Sequence, residues 1–198
     1  MDTCSAKFGK NFRARYRAAI PGGLAHDPAQ ASMVRKLSHL GSELVSAQQS
    51  RSRLNRFRRW LGRSRSAPRG IYLWGGVGRG KTVLMDLFMD WLPLERKKRL
   101  HFHVFMQRVH RHLTALQGEP NPLRAVARRL ANEAVVIGLD EFYVEDIGDA
   151  MVLANLLKNL LDSGTVLLTA SPNTPNTCLL YTSPSPRDRT RSRMPSSA

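Results

Sequence analysis

Cysteine, acidic residues and long apolar runs are scarce in this chain. Among its 198 residues there are two cysteines, Cys4 and Cys178. A single pair cannot build a disulfide framework, and such usage points to a reducing compartment. No run of 18 apolar residues occurs and no signal-peptide apolar region is present, so neither a membrane span nor secretion is supported. Asp and Glu number 15 against 31 Lys and Arg, of which seven are Lys, leaving a net charge of +16. That imbalance implies acidic partners: nucleic acid, an anionic lipid surface or an acidic protein face. Guanine specificity also lacks its signature, because no Asn-Lys-x-Asp occurs.

What the chain does have is a phosphate-binding loop. Residues 75–82 read Gly75-Gly76-Val77-Gly78-Arg79-Gly80-Lys81-Thr82, a complete G-x-x-x-x-G-K-[ST] pattern. An apolar run, Ile71-Tyr72-Leu73-Trp74, precedes it, and Val83, Leu84, Leu87, Phe88, Trp91 and Leu92 follow at helical spacing. Strand, glycine turn and helix N-terminus are the context this motif needs. The glycines let backbone N–H groups curl around a phosphate, and the helix dipole adds positive potential at the same point. Lys81 is expected to reach the β- and γ-phosphates, and Thr82 to offer its hydroxyl to Mg²⁺. The expected ligand is a nucleoside triphosphate with Mg²⁺.

The second half of such a site lies further on. Ala134-Val135-Val136-Ile137-Gly138-Leu139 reads as a strand buried on both faces and ends in Asp140-Glu141. In open α/β sheets ligands bind at that edge. Asp140 is expected to hold Mg²⁺ through its water shell, and Glu141 to orient and polarise the attacking water. The catalytic pair is thus Glu141 and Lys81, and the metal pair Thr82 and Asp140. Asp140-Glu141-Phe142-Tyr143 lacks the glycine of the GTPase D-x-x-G motif.

Elsewhere the pattern predicts supporting elements. Val34, Leu37, Leu40 and Leu44 predict one exposed-face helix over residues 29–50, opened by Asp27-Pro28 as N-cap and N1. Eight arginines between Arg51 and Arg69 have no acidic neighbour, with Leu54, Phe57, Trp60 and Leu61 at helical spacing among them. This stretch reads either as a surface for nucleic acid, anionic membrane or acidic protein, or as a solvated linker helix packed on the core. The first dozen residues read as a ragged start, with a mitochondrial presequence as the alternative. Leu100, Phe102 and Val104 alternate with His101, His103 and Phe105, which predicts a strand over 100–105. His103, His110 and His112 lack metal-ligand spacing. Asp146 and Asp149 predict the cap and third residue of a helix that Gly164 ends, and residues 165–170 a fourth strand.

Long segments resemble one family. Gly70-Ile71-Tyr72-Leu73-Trp74 with the loop, residues 99–106, and Asp140-Glu141-Phe142-Tyr143-Val144-Glu145-Asp146-Ile147-Gly148-Asp149-Ala150-Met151 are similar to the ZapE family of AAA+ ATPases of bacterial cell division, which has mitochondrial relatives. The resemblance spans roughly residues 13–171. It implies an α/β P-loop fold of AAA+ type, with a parallel sheet, flanking helices and a helical N-terminal extension. It further implies a cytoplasmic ATPase that engages the FtsZ ring and forms a homo-oligomer when full length; a mitochondrial matrix location is the alternative. ZapE-like chains place an Asn sensor directly after the Ser ending the fourth strand. Here Pro172 follows Ser171, and Asn173 comes one position late.

The expected organisation is a basic helical extension over 1–68, an incomplete ATPase core over 69–177, and an unrelated tail over 178–198. From Cys178 the chain reads, residue for residue, like a translated sequencing-library adapter. The fifth strand, arginine finger and lid of the AAA+ order would lie beyond Thr177. Without them strand 71–74 is an unpaired edge open to other chains. A domain is stable by only about 5–15 kcal/mol, so the loss of a strand and its packing removes much of that margin. Expressed as written, the polypeptide is expected to be aggregated or molten, without measurable ATP turnover. A soluble, cooperatively unfolding monomer with robust ATPase activity overturns that expectation.

Overall fold

A computed structural model describes residues 3–19, 28–61, 68, 70–76, 78, 80–144 and 146–173. Ten elements follow in order: α1 (Thr3–Ala19), α2 (Pro28–Leu61), β1 (Ile71–Trp74), α3 (Lys81–Trp91), β2 (Lys97–His101), α4 (Phe102–Ala115), α5 (Pro122–Glu133), β3 (Val136–Asp140), α6 (Ile147–Asp162) and β4 (Val166–Ser171). The four strands form one parallel sheet in the order β1-β4-β3-β2. Sequence explains the placing. β3 and β4 are buried at every residue and take the centre, where both faces are covered. β2 begins Lys97-Lys98-Arg99, charges that suit an edge. Among the described residues β1 forms the other edge.

Alternation along the strands divides the core in two. Leu73, Val136, Val166, Leu168 and Ala170 face α1, α2 and α3. Ile137, Leu139 and Leu167 face α4, α5 and α6. Register then sets the functional end. Trp74 pairs with Ser171, and His101 with Asp140, so the C-terminal ends of all four strands lie at one level.

Three expectations need correction. The strand expected over 100–105 is β2, which ends at His101. From Phe102 the chain is helical, because Phe102, Phe105, Met106 and Val109 are buried at helical spacing, a period that overrides two cycles of alternation. At its start β2 serves the preceding helix: the Lys97 ammonium donates to the carbonyls of Met89, Asp90 (3.2 Å) and Leu92 (2.7 Å), satisfying the C-terminal carbonyls of α3.

The helix expected over 29–50 is longer and more buried than its sequence suggests. It starts at Pro28 and continues to Leu61, since no Gly or Pro interrupts residues 42–61. Val34, Leu37, Leu40 and Leu44 are core residues, not the apolar side of a helix left at the surface. The Arg-rich stretch therefore begins inside α2. Its backbone is described to Leu61, and its side chains, like Asp27, lie outside the described residues.

From Thr3 the N-terminal stretch is helical, not ragged. Phe8, Phe12 and Tyr16, spaced i, i+4, i+8 on α1, are buried. Phe12, 1% exposed, meets Phe88 edge-on at 5.8 Å and Trp91 at 5.6 Å between ring centres. The helices α1 and α2 approach closely because position 41 is Gly: a Cβ there would lie 2.0 Å from the Phe8 ring. A presequence reading of these residues finds no support in this packing. The helix carrying the loop lysine is thus buttressed by the N-terminal helix. Phe12→Ala in the intact protein should cost about 3–5 kcal/mol, read from the denaturant midpoint. A change below about 1 kcal/mol would show that α1 is not part of the cooperative core.

Candidate nucleotide-binding site

The loop between β1 and α3 uses its glycines for backbone conformation. Gly78 (φ 81°) and Gly80 (φ 74°) are left-handed, a region that L side chains avoid. A Cβ at Gly75, Gly76 or Gly78 would meet nothing within 4 Å, so the loop opens onto free space that a phosphate group could fill. Gly80 is also the N-cap of α3, and no side chain caps that N-terminus. The N-cap thus supplies no side-chain acceptor to the N–H groups of the first turn, and that turn itself contains no acidic residue. Val77 and Arg79, also expected in the loop, lie outside the described residues.

Lys81 opens α3, and its ammonium turns back into the loop, donating to the carbonyl oxygens of Gly75 (2.7 Å) and Gly76 (2.8 Å). Thr82 is next, and its Oγ1 lies 3.4 Å from Oδ1 of Asp140. The loop and the end of β3, joined in the sequence only by motif, therefore meet in space. Hydroxyl and carboxylate oxygens at that separation make a hard, oxygen-only donor pair, which suits Mg²⁺ with waters completing its shell. These residues fit the metal.

Asp140 is 4% exposed, and a buried carboxylate needs partners. Its Oδ1 accepts from the Glu141 backbone N–H at 3.0 Å, and its Oδ2 from Arg99 Nη2 at 2.9 Å. Arg99 reaches the other way with Nε, 2.7 Å from Oδ1 of Asp86, one turn beyond Thr82 on α3. Burial pushes the Asp86 carboxyl above its ordinary value, and the Arg99 guanidinium pulls against that shift without cancelling it.

Glu141 differs in kind. It is the only non-glycine residue with positive φ among those described (52°), a conformation costing about 1 kcal/mol or more. The turn lets the Phe142 N–H bond the Ala170 carbonyl at 2.8 Å, while the Glu141 side chain, 73% exposed, stands clear of the sheet. The imidazole of His101 lies beside it, with Nδ1 3.7 Å from Oε2. Glu141 is therefore placed to act on a solvent molecule, and Asp140 is not.

Other expected residues fall into place around this edge. Asp146 caps α6, its Oδ1 accepting from Gly148 N at 2.6 Å, and Asp149 lies in the first turn, 2.7 Å from His110 Nε2. At the opposite end of the sheet, between α6 and the start of β4, Gly164 is left-handed at the helix stop (φ 80°). Asn173 sits just past β4, its N–H bonded to Ser171 Oγ (3.1 Å) and its carbonyl to the Tyr72 hydroxyl (3.1 Å). Both bonds use its backbone. The motif reading did not find Arg99, Asp86 or His101 as site residues. The available signals were an acid one turn after Thr82 and an arginine and histidine at the end of a strand.

Comparison with known proteins identifies the family. The AFG1-like ATPase family model matches residues 11–188, a range that runs past Thr177 into the segment read as adapter. Cell division protein ZapE of Escherichia coli K12 is 44% identical over 167 residues, covering 80% of this chain and 44% of that protein. Lactation elevated protein 1 homolog B of Danio rerio is 42% identical over 119 residues, 54% of this chain and 24% of that protein. The chain thus spans less than half the length of these curated relatives. AMPPCP-bound DnaA from Aquifex aeolicus matches 71% of this chain and 44% of its own at 18% identity and a TM-score of 0.44, a likeness too low to bear on the site. The four-stranded parallel sheet with its glycine loop is an α/β P-loop fold, and the chain belongs to the AFG1-like ATPase family.

Proposed function

We propose that this chain binds ATP with Mg²⁺ and, within a full-length protein, hydrolyses it in bacterial cell division. The approach of Thr82 to Asp140 at 3.4 Å carries this reading, since it brings the phosphate loop to the acidic end of β3. The loop N–H groups and the α3 N-terminus hold the phosphates. Lys81 leaves the Gly75 and Gly76 carbonyls for the β- and γ-phosphate oxygens. Thr82 and Asp140 hold Mg²⁺, which when bound neutralises charge on the phosphate oxygens. Glu141 orients the attacking water and accepts its proton. The cellular part rests on the relative named a cell division protein and on the resemblance that points to FtsZ as the acidic partner, in the cytoplasm and as a homo-oligomer.

The Arg-rich residues 51–69 support a second reading, a nucleotide-switched adaptor or loader that holds nucleic acid. Helicase loaders use a similar fold, so fold alone does not separate the two. Salt does, because counterion release makes nucleic-acid binding fall steeply as salt rises. The same arginines would attract an anionic membrane surface.

Two sets of variants test the site and the partner surface separately. In the intact protein Lys81→Ala should abolish detectable binding of a fluorescent ATP analogue. Glu141→Gln should keep that binding yet trap ATP, since the metal position survives and water activation does not. Hydrolysis by Glu141→Gln at the parent rate would remove Glu141 from its assigned role. Reversing Arg56, Arg58, Arg59 and Arg63 to Glu should weaken association with an acidic partner. It should leave nucleotide affinity within about twofold, since solvated charges act over only ~8 Å at physiological salt. Unchanged partner binding would instead mark the stretch as a solvated linker.

A further inference from the structure

The Asp140 carboxylate is engaged on both oxygens by the protein itself. Its Oδ2 takes Arg99 Nη2 at 2.9 Å, while its Oδ1 takes the Glu141 N–H at 3.0 Å and faces the Thr82 hydroxyl at 3.4 Å. The guanidinium has little freedom to withdraw, because Nε is bonded to Asp86 at 2.7 Å and the planar fork holds both carboxylates at once. One cation on β2 thus ties the loop helix, through Asp86, to the end of β3, through Asp140.

We propose that Arg99 is an internal countercharge that keeps the metal position weak until nucleotide arrives. This inference rests on the reading of Asp140 as the metal-side carboxylate. Asp86, Arg99 and Asp140 together carry one net negative charge, and a dication approaching Asp140 meets a guanidinium fixed beside it. Even at an effective dielectric near 20, repulsion between a cation and a dication a few Å apart exceeds thermal energy. Replacing Arg99 with an uncharged side chain leaves two partly buried carboxylates and no local cation. The polyphosphate of a nucleotide supplies the same missing negative charge from outside. Metal and nucleotide are therefore taken up together, and neither Asp140 nor Thr82 holds the metal alone. Arg99 acts through Asp140 as a positioning residue, without touching substrate.

Mn²⁺ can replace Mg²⁺ as the probe, with free Mn²⁺ followed by electron paramagnetic resonance in the intact, nucleotide-free protein. The parent should bind weakly, and Arg99→Met at least tenfold more tightly. The double variant Arg99→Met with Asp140→Asn should lose that gain, which places the ion at Asp140. Arg99→Lys and Asp86→Asn both keep a cation beside Asp140 and should stay within about threefold of the parent. A folded Arg99→Met, judged by cooperative melting, with no gain in affinity overturns the proposal. If Arg99→Met does not fold, a tenfold gain in Asp86→Asn or Arg99→Lys overturns it, and parent-like binding in both supports it. A separate arm adds AMPPCP: the parent should then bind Mn²⁺ tightly and Lys81→Ala should not. Failure of that arm removes the metal reading and the countercharge together, whereas failure at Arg99→Met removes the countercharge alone.

Discussion

The constraint on which the nucleotide edge depends is the neutralisation of one buried carboxylate. Asp140 ends a strand whose every residue is buried, so its charge cannot be left to water. A buried ion without partners is too costly to persist. Three groups from three places meet that demand: Arg99 on β2, the Glu141 N–H in the next turn, and the Thr82 hydroxyl on α3. Each contact fixes something else. Arg99 makes β2 the neighbour that matters despite its edge position. The Glu141 N–H accompanies the left-handed turn that throws the Glu141 side chain outward. Thr82 sets how closely the loop helix approaches β3.

That helix has to be held from behind for the approach to mean anything. Met85 and Phe88 of α3 enter the sheet's first core face with Leu73, Val136 and Leu168, and Phe12 of α1 closes over Phe88 and Trp91. The N-terminal helices are therefore continuous with the packing under the phosphate loop. A loop whose glycine conformations carry no side-chain contacts of their own is positioned only by its two flanking elements. Rigidity in β1 and α3 supplies what the loop cannot.

Local chemistry made much of this legible in the sequence. The phosphate loop, the acidic pair after an apolar run, the Asp146 cap and the Gly164 stop are each specified within a few residues, and each is where its pattern places it. Strands β3 and β4 were equally readable, because burial on both faces leaves an unbroken apolar run. What escaped depended on distant partners. Phe102 to Phe105 satisfies a strand period until the burial of Met106 and Val109 is known. Phe8 and Phe12 look like scattered aromatics until Phe88 stands opposite. Arg99 reads as one more basic residue in a chain of net charge +16, since neither Asp86 nor Asp140 is near it in sequence.

The groups proposed to bind nucleotide and metal each have partners within the protein. Lys81 is held by the Gly75 and Gly76 carbonyls, and Asp140 by Arg99 and backbone. Binding then exchanges hydrogen bonds already made, and an exchange has a small net cost, about 1 kcal/mol per bond rather than the several of an orphaned buried group. Among the described residues Glu141 is the one non-glycine with a positive φ, and its exposed carboxylate lies 3.7 Å from His101 Nδ1. In the proposed mechanism the binding groups are thus hydrogen-bonded within the protein, and the group assigned to water is exposed. That division follows from burial: a buried carboxylate such as Asp140 has to be partnered within the protein, whereas an exposed one such as Glu141 is solvated and can be left open to solvent.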